Sequence, residues 1–177
     1  MVISMTDTVK DIISRRSIRK YKAEQVPDDK LEAVLTAGTY APTAMGRQSP
    51  LIVAVQSSAD AAEVRRINAL VAGTDGDPFY GAPTIILVFA ERGNPNGIQD
   101  ASLVLGNMMN AAYAEGLGSC WINRIKESFE LPEGKALLEK WGIDDVWDGV
   151  GSCALGYADC DLPTAKARKE GYVIKIK

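Results

Sequence analysis

The chain contains no histidine among its 177 residues, and this absence excludes much of the chemistry that proteins perform without cofactors. There can be no Ser/His or Cys/His nucleophile pair, and no imidazole ligand for a catalytic zinc ion. The three cysteines, Cys120, Cys153 and Cys160, are odd in number and form no CxxC motif, so neither a disulfide framework nor a zinc site is expected. If the chain is an enzyme, we expect a bound cofactor to carry its chemistry.

A strong net charge and long apolar runs are also lacking. The net charge of −3 gives no overall basic field for nucleic acid, so any anion site has to be local. No run approaches the ~20 apolar residues that cross a bilayer. Met1 to Met5 lead into Thr6 and Asp7 without the basic and apolar regions of a signal peptide. We therefore expect a cytoplasmic protein with neither nucleic acid nor membrane as a partner.

With 46% hydrophobic and 24% charged residues, the composition is close to globular averages. The length suits one domain, and we find no internal repeat and no linker that would divide the chain. Residues 1–177 are therefore expected to form a single domain.

One stretch, from Ile98 to Ile122, is expected to organise the core. No charged residue lies between Asp100 and Glu115, and the apolar positions occupy more than one helical face. A helix of this kind must be covered nearly all round. It is expected to end at Gly116 and to be followed by a buried strand over residues 117–122.

Gly118 and Ser119 in that strand leave backbone amides uncovered by bulky side chains. A flat ligand could approach there. Alternatively, the glycine only lets the helix and the strand pack closely.

Further elements follow from hydrophobic spacing and from helix start signals. Helices are expected from Thr6 or Asp7, from residues 26–28, over residues 59–72 and from Pro132. Buried strands are expected over residues 51–55, 84–90 and 150–157. At the C-terminus Tyr172, Ile174 and Ile176 alternate with Val173, Lys175 and Lys177. This spacing predicts a strand with one apolar face, which needs a sheet edge, its own or a partner's.

Two basic clusters stand near the ends of the chain. The first contains Arg15, Arg16, Ser17 and Arg19, and the second contains Lys166, Arg168 and Lys169. Arg15 and Arg19 would share a face if the first helix continued through them, which favours a phosphate clamp. Cations at a helix C-terminus are also favourable without any ligand, so a solvated basic end would explain the first cluster equally well.

The loop over residues 41–50 is rich in proline and small residues, and Arg47 is its single charged residue. A solvent-exposed loop of this length usually carries more charge. It is therefore expected to line a pocket, although a simple connection between helix and strand would also explain it.

Taken in order, these motifs resemble the FMN-dependent nitroreductase family over almost the whole chain. The resemblance is carried by the Arg15 to Arg19 cluster, the 41–50 loop, Tyr80 to Pro83, Gly116 to Ile122, Gly156 and the 166–168 tail. Each motif alone is weak, whereas their common order is a strong signal.

This resemblance implies an α+β fold in which a mixed, mainly antiparallel sheet is flanked by helices. It further implies an intertwined homodimer with exchanged C-terminal strands, in which each FMN lies at the interface of the two subunits. The apolar central helix would then pack on the partner's copy.

The resemblance also implies a set of FMN-binding residues, position by position. Arg15, Ser17 and Arg19 would hold the phosphate and ribityl chain, and Lys166 and Arg168 would close on the same phosphate. A backbone amide at Asn123 or Arg124 would face flavin N5, with no catalytic side chain. The full set is Arg15, Arg16, Ser17, Arg19, Pro42, Thr43, Ala44, Gln48, Trp121, Ile122, Asn123, Lys166 and Arg168. One departure is Gly46, where the family commonly has Asn.

The implied activity is an FMN-dependent oxidoreductase that passes two electrons from NADH or NADPH to nitroaromatic, quinone or related acceptors by a ping-pong mechanism. The same fold also serves dehalogenation, azoline oxidation and flavin fragmentation. The sequence is also compatible with an FMN storage or sensor module that shows little turnover, and with a phosphate-binding domain that holds no flavin.

Overall fold

The computed structural model describes residues 4–177. Residues 1–3 lie outside this range. They belong to the Met1 to Met5 segment, in which no signal peptide is expected. In chain order the elements are α1 (Asp7–Ser14), α2 (Asp28–Thr39), β1 (Leu51–Val55), α3 (Ser58–Ala72), β2 (Thr84–Glu91), α4 (Gly97–Ala114), β3 (Gly118–Ile122), α5 (Ile125–Glu130), α6 (Pro132–Lys140) and β4 (Trp147–Gly156). A 3₁₀ turn, Ala44–Gly46, lies between α2 and β1. None of the helices described is long and apolar enough to cross a membrane.

The four strands form one sheet in the order β1, β2, β4, β3, with every neighbouring pair antiparallel. β2 is central and is buried from Thr84 to Ala90, since it has a strand on each side and helices over both faces. This position explains its uninterrupted apolar sequence. An isolated parallel bridge joins Ser17 to Ser119 in β3. The expected α+β fold with a mainly antiparallel sheet between helices is confirmed.

The two faces of the sheet follow the two-residue period of β2. Ile85, Leu87 and Phe89 pack into the core formed with α3, α5 and α6. Ile86 and Val88 point the other way, into the core formed with α2 and α4. Both helical layers thus depend on this one strand.

Helix α4 lies across the second face of the sheet. Its residues Val104, Leu105 and Met108 are buried, and α2 approaches it so closely that a Cβ on Gly38 would lie 2.7 Å from Met108 Cγ. On its outer side, however, Ile98 and Leu103 are 68% and 47% exposed. The expectation that this helix is covered nearly all round is therefore not met within one chain, because the sheet and α2 reach only part of its surface.

Two further differences from the sequence expectations concern short or terminal segments. Helix α5 was not expected, because six residues give too few turns for a periodic signal. Residues 172–177, expected as a strand, form no strand in the chain alone and are exposed. An extended segment becomes a strand only beside a free edge, so their exchange with a second subunit stays a prediction.

Candidate functional site

The basic segment that follows α1 is extended, not helical. Arg15 already has extended dihedral angles, with φ −52° and ψ 136°. Three residues later, the Ile18 N–H donates to the Ser119 carbonyl at 3.0 Å, and the Tyr21 hydroxyl donates to the Ile18 carbonyl at 2.8 Å. These bonds fix the segment against the outer edge of β3.

Arg15 and Arg19 would share a helical face only if α1 continued through them, and α1 ends at Ser14. In an extended chain alternate residues point to the same side. Ile18 is 3% exposed and turned into the core, which places Ser17 and Arg19 on the opposite side of the backbone. Arg15, two residues before Ser17, shares that side by the same alternation, so the cluster is brought together by strand geometry.

Ile18 also decides between the two interpretations of the Gly118 position. A Cβ on Gly118 would lie 2.8 Å from Ile18 Cγ1. The space above this glycine is therefore filled by the protein's own side chain. Close packing, and not the approach of a flat ligand, explains Gly118.

The two arginines after α1 differ in their hydrogen bonds. Arg16 Nη1 donates to the carbonyls of Ile13 and Arg15, each at 2.8 Å, so this guanidinium caps the end of its own helix. Arg15 Nη1 is buried and has no acceptor among residues 4–177, and the same is true of Arg16 Nε. A buried donor without an acceptor is costly, and an anion oxygen would satisfy it.

Beneath this segment the buried Cys153 thiol does not supply a nucleophile. Burial raises the pKa of Cys153 to about 12, and the nearby Arg15 charge lowers it by a smaller amount. The sulfur therefore stays protonated at neutral pH, and only the thiolate is reactive.

The 41–50 loop has an unusual backbone. Met45, Gly46 and Gln48 all have positive φ angles, of 54°, 64° and 51°. Inside the loop, the Gln48 N–H donates to Thr43 Oγ1 at 2.9 Å. The loop lines an open cleft of about 540 Å³. The residues on its wall are Thr39, Tyr40, Ala41, Pro42, Thr43, Gly46 and Gln48.

This geometry explains the departure at Gly46. Its φ of 64° is a conformation that glycine adopts freely and that asparagine tolerates better than most residues. A Cβ at this position would meet no atom within 4 Å. The backbone shape therefore suits either residue, and what glycine lacks here is only a side-chain amide.

The loop is anchored by Asp100 in the first turn of α4. Asp100 is 4% exposed, and its Oδ1 accepts a hydrogen bond from the Ala44 N–H at 3.0 Å. Its Oδ2 is buried without a partner among the described residues. Sequence reasoning missed this role, since an acidic residue at a helix start is already explained by the helix dipole.

The segment from Trp121 to Arg124 forms the exit of β3. The Trp121 indole packs on Gly151, where a Cβ would lie 2.6 Å from Cζ2, and its Nε1 donates to Asn123 Oδ1. The Ile122 side chain is buried in the core on the opposite face. Only the backbone of Ile122 can therefore reach a ligand.

Helix α4 brings the loop and this exit segment close to one another. Asp100 holds the loop, and Ile98, two residues earlier, lines a cleft of about 410 Å³ together with Asn123 and Arg124. The first turn of α4 is therefore the common support of the two segments.

The second basic cluster is not brought to the first within one chain. Residues 161–177 are exposed, and their hydrogen bonds in the structure are internal to the segment. Arg168, for example, donates from Nε and Nη2 to the Lys166 carbonyl at 3.2 and 2.6 Å. No hydrogen bond from residues 4–160 orders this tail.

Comparison with known proteins identifies the family. The family model described as "Nitroreductase family" matches residues 12–157. The chain belongs to the nitroreductase family. The matched residues include the first basic cluster, the 41–50 loop and the exit of β3, whereas Lys166 and Arg168 lie beyond them. A nitroreductase family is a family of oxidoreductases, so the resemblance inferred from the ordered motifs is confirmed at that level.

Similar proteins of the nitroreductase family include solved structures and a flavin oxidoreductase. A nitroreductase with bound FMN from Bacteroides fragilis is 30% identical with a TM-score of 0.90, and the match covers 98% of this chain and 100% of that one. A nitroreductase with bound FMN from Desulfitobacterium hafniense has a TM-score of 0.87 at 22% identity, with 98% and 100% covered, which supports the fold. The NADPH-flavin oxidoreductase of Vibrio harveyi is 27% identical, over 96% of this chain and 73% of that protein.

We expect Asp100→Ala to loosen the 41–50 loop, since the Ala44 N–H loses its acceptor. The free energy of unfolding should fall by about 1–3 kcal/mol, measured by urea denaturation. Hydrogen exchange at the Ala44 amide should become faster. Asp100→Asn keeps an acceptor oxygen and serves as the control, with smaller changes. Unchanged exchange at Ala44 in the alanine variant would show that Asp100 does not hold the loop.

Proposed function

We propose that the chain is an FMN-dependent oxidoreductase, active as a homodimer. It transfers two electrons from NADH or NADPH to nitroaromatic, quinone or related acceptors in a ping-pong reaction. We also propose that residues 1–177 form a single FMN-binding domain. The bound FMN of the Bacteroides fragilis relative and the flavin chemistry named for the Vibrio harveyi relative support the choice of cofactor.

The observation that carries this proposal is the buried Arg15 Nη1, which has no acceptor among the described residues. It lies on the extended segment whose Ser17 and Arg19 point to the same side. Two cations and a hydroxyl on one side of a strand fit a phosphate dianion, in a protein whose net charge is −3. In the proposed site these groups bind the FMN phosphate and ribityl chain.

The other end of the proposed site carries few charged residues. Pro42, Thr43 and Ala44 lie along the flavin ring with Gln48 nearby, and Arg47 is the one charged residue of the loop. A loop of this kind offers backbone amides and small side chains to a flat ligand. At the exit of β3, Trp121 and the backbone of Ile122 and Asn123 would complete the ring site, and the Arg124 N–H would donate to the flavin.

FMN supplies the redox chemistry of this reaction, since its ring can accept a hydride and release two electrons. The chain binds and orients the ring and stabilises negative charge on it with amides and cations. No side-chain acid or base is required of it. A chain with no histidine and with a protonated Cys153 suits this division of work.

A second subunit would complete the structure. One side of the molecule carries exposed apolar residues on α1 and α4, and the exposed tail carries more. Burying such a surface is the main driving force of association. In the homodimer we propose, α4 packs on its counterpart, the tail forms the exchanged strand, and Lys166 and Arg168 close on the FMN phosphate. The apolar residues concerned are Val9, Ile12, Ile13, Ile98, Leu103, Tyr172, Ile174 and Ile176.

The cytoplasmic location and a small-molecule acceptor, expected from the sequence, are part of the same proposal.

The first experiment is the absorption spectrum of the freshly purified protein, with identification of the chromophore released by heat. We expect a yellow protein with about one FMN per chain, and oxidation of NADH or NADPH with a quinone well above the rate of free FMN. FMN bound without turnover would indicate a storage or sensor module. A colourless protein that does not bind added FMN would contradict the cofactor assignment.

The phosphate contact is tested by Arg15→Gln. Because a charge-assisted hydrogen bond is worth about 1.5–3 kcal/mol, FMN should bind about 10- to 100-fold more weakly. Titration of the apoprotein with FMN measures this effect. Arg92→Gln is the matched control, since Arg92 is an exposed arginine paired with Asp145 and Asp148. Equal FMN affinity of the two variants would remove Arg15 from the site.

The homodimer is tested by sedimentation equilibrium, where we expect twice the chain mass of 19.0 kDa. Ile12→Glu combined with Leu103→Glu should shift the protein toward the monomer, because both charges would lie in the proposed interface. Leu70→Glu is the control, as Leu70 is 56% exposed on α3, away from that side. A wild-type protein that sediments as a monomer would contradict the proposal.

A further inference from the structure

Asn68 is a fully buried polar residue on α3 that neither the core packing nor the FMN contacts proposed for the site explain. Its Nδ2 donates to the Asn123 carbonyl at 2.9 Å and reaches Ser128 Oγ at 3.4 Å. Because a carbonyl can only accept, the amide must turn its NH₂ group toward Asn123. Its Oδ1 is left buried without a partner among residues 4–177. As a purely structural residue Asn68 is thus poorly satisfied, whereas its bond to Asn123 is short and direct.

This bond fixes the orientation of one peptide unit. The Asn123 carbonyl and the Arg124 N–H belong to the same peptide, and the structure contains no cis peptide bond among its described residues. In a trans peptide the carbonyl and the N–H point in opposite directions. With the carbonyl held toward α3, the Arg124 N–H is directed away from α3.

The neighbouring acceptors of the turn are already engaged. The Arg124 carbonyl accepts from the Ser128 N–H at 2.9 Å, and Asn123 Oδ1 accepts from Trp121 Nε1. No acceptor for the Arg124 N–H occurs among the hydrogen bonds of the described chain. The turn therefore presents a free donor at this N–H, beside a carbonyl that is held toward α3.

The backbone of Arg124 shows why the peptide needs to be held. Its φ of 73° lies in the left-handed region, which is unfavourable for a residue with a Cβ. Rotating the Asn123 peptide by half a turn would return φ to negative values and would exchange the N–H for the carbonyl. Without a restraint the peptide would favour that flipped form.

We propose that Asn68 is a positioning residue, which holds the Asn123–Arg124 peptide so that its N–H, and not its carbonyl, faces the flavin ring. This inference rests on the proposed FMN site. Asn68 touches neither cofactor nor substrate in this role. It acts only through the peptide that it orients.

The test compares Asn68→Leu and Asn68→Ala with Ser128→Ala. Neither leucine nor alanine carries a donor for the Asn123 carbonyl, and the smaller alanine serves if leucine does not fit the site. Ser128→Ala removes the weaker contact of Asn68 and leaves the bond to Asn123, so it serves as the control.

In the apoprotein, NMR coupling constants report φ at Arg124 directly. We expect the wild type and Ser128→Ala to keep a positive φ, and the Asn68 variants to move to a negative one. On addition of FMN, the Arg124 amide resonance should shift in the wild type and in Ser128→Ala, and not in the Asn68 variants. FMN should bind about 3- to 10-fold more weakly to the Asn68 variants, as expected for one lost hydrogen bond. The visible bands of bound FMN should also differ from those of the wild type.

The outcomes separate this inference from the proposed function. If Asn68→Leu keeps the wild-type φ at Arg124, the wild-type FMN affinity and the wild-type spectrum, the role of Asn68 is overturned and the FMN site stays intact. A wild type that binds no FMN would overturn both the proposed function and the assignment of the N–H to a flavin. A wild type that binds FMN while its Arg124 amide does not respond would overturn the inference alone.

Discussion

The hydrogen bond from the Ile18 N–H to the Ser119 carbonyl determines where the site can form. It extends the sheet beyond β3 by a short parallel pairing, and it converts the residues after α1 from a helix end into an extended segment. Ile18 then packs on Gly118, and its neighbours point to the other side. The same strand ends three residues after Ser119 in the turn at Asn123. One edge of the sheet therefore carries both a cluster of cations and a turn with a free amide.

The candidate site is composed of positioned backbone groups and fixed charges. Asp100 holds the Ala44 amide, Thr43 holds the Gln48 amide, and Arg15 offers a buried guanidinium nitrogen. Several residues of the loop and the turn have positive φ angles, which cost energy and need support from buried partners. Such rigid donors suit the reaction that we propose, in which negative charge develops on a bound ring. These positioned donors agree with the membership of this chain in the nitroreductase family.

Within one chain the central strand of the sheet is fully covered, whereas part of the surface exposes apolar side chains. β2 is buried on both faces, whereas α1, the outer side of α4 and the tail leave apolar side chains in solvent. Tyr172, Ile174 and Ile176 of the tail lie at alternate positions, as in a strand, but the tail pairs with no sheet edge among residues 4–177. The same surface that lacks cover also adjoins the first turn of α4, which supports the loop and the turn. Association and ligand binding would therefore depend on one another.

The amino-acid sequence by itself determined the elements with strong periodic or composition signals. The sequence alone predicted the apolar run of β2, the long stretch of α4 without charge after Asp100 and the order of the family motifs, since each reflects burial or spacing along the chain. Four features could not be predicted from the sequence: the short helix α5, the extended conformation at Arg15, the Asp100 anchor and the Asn68 contact. The last three depend on partners far away in sequence: Ser119 for the segment of Arg15, Ala44 for Asp100 and Asn123 for Asn68. Local patterns record which side chains avoid water, whereas only the packed tertiary structure decides which polar groups meet.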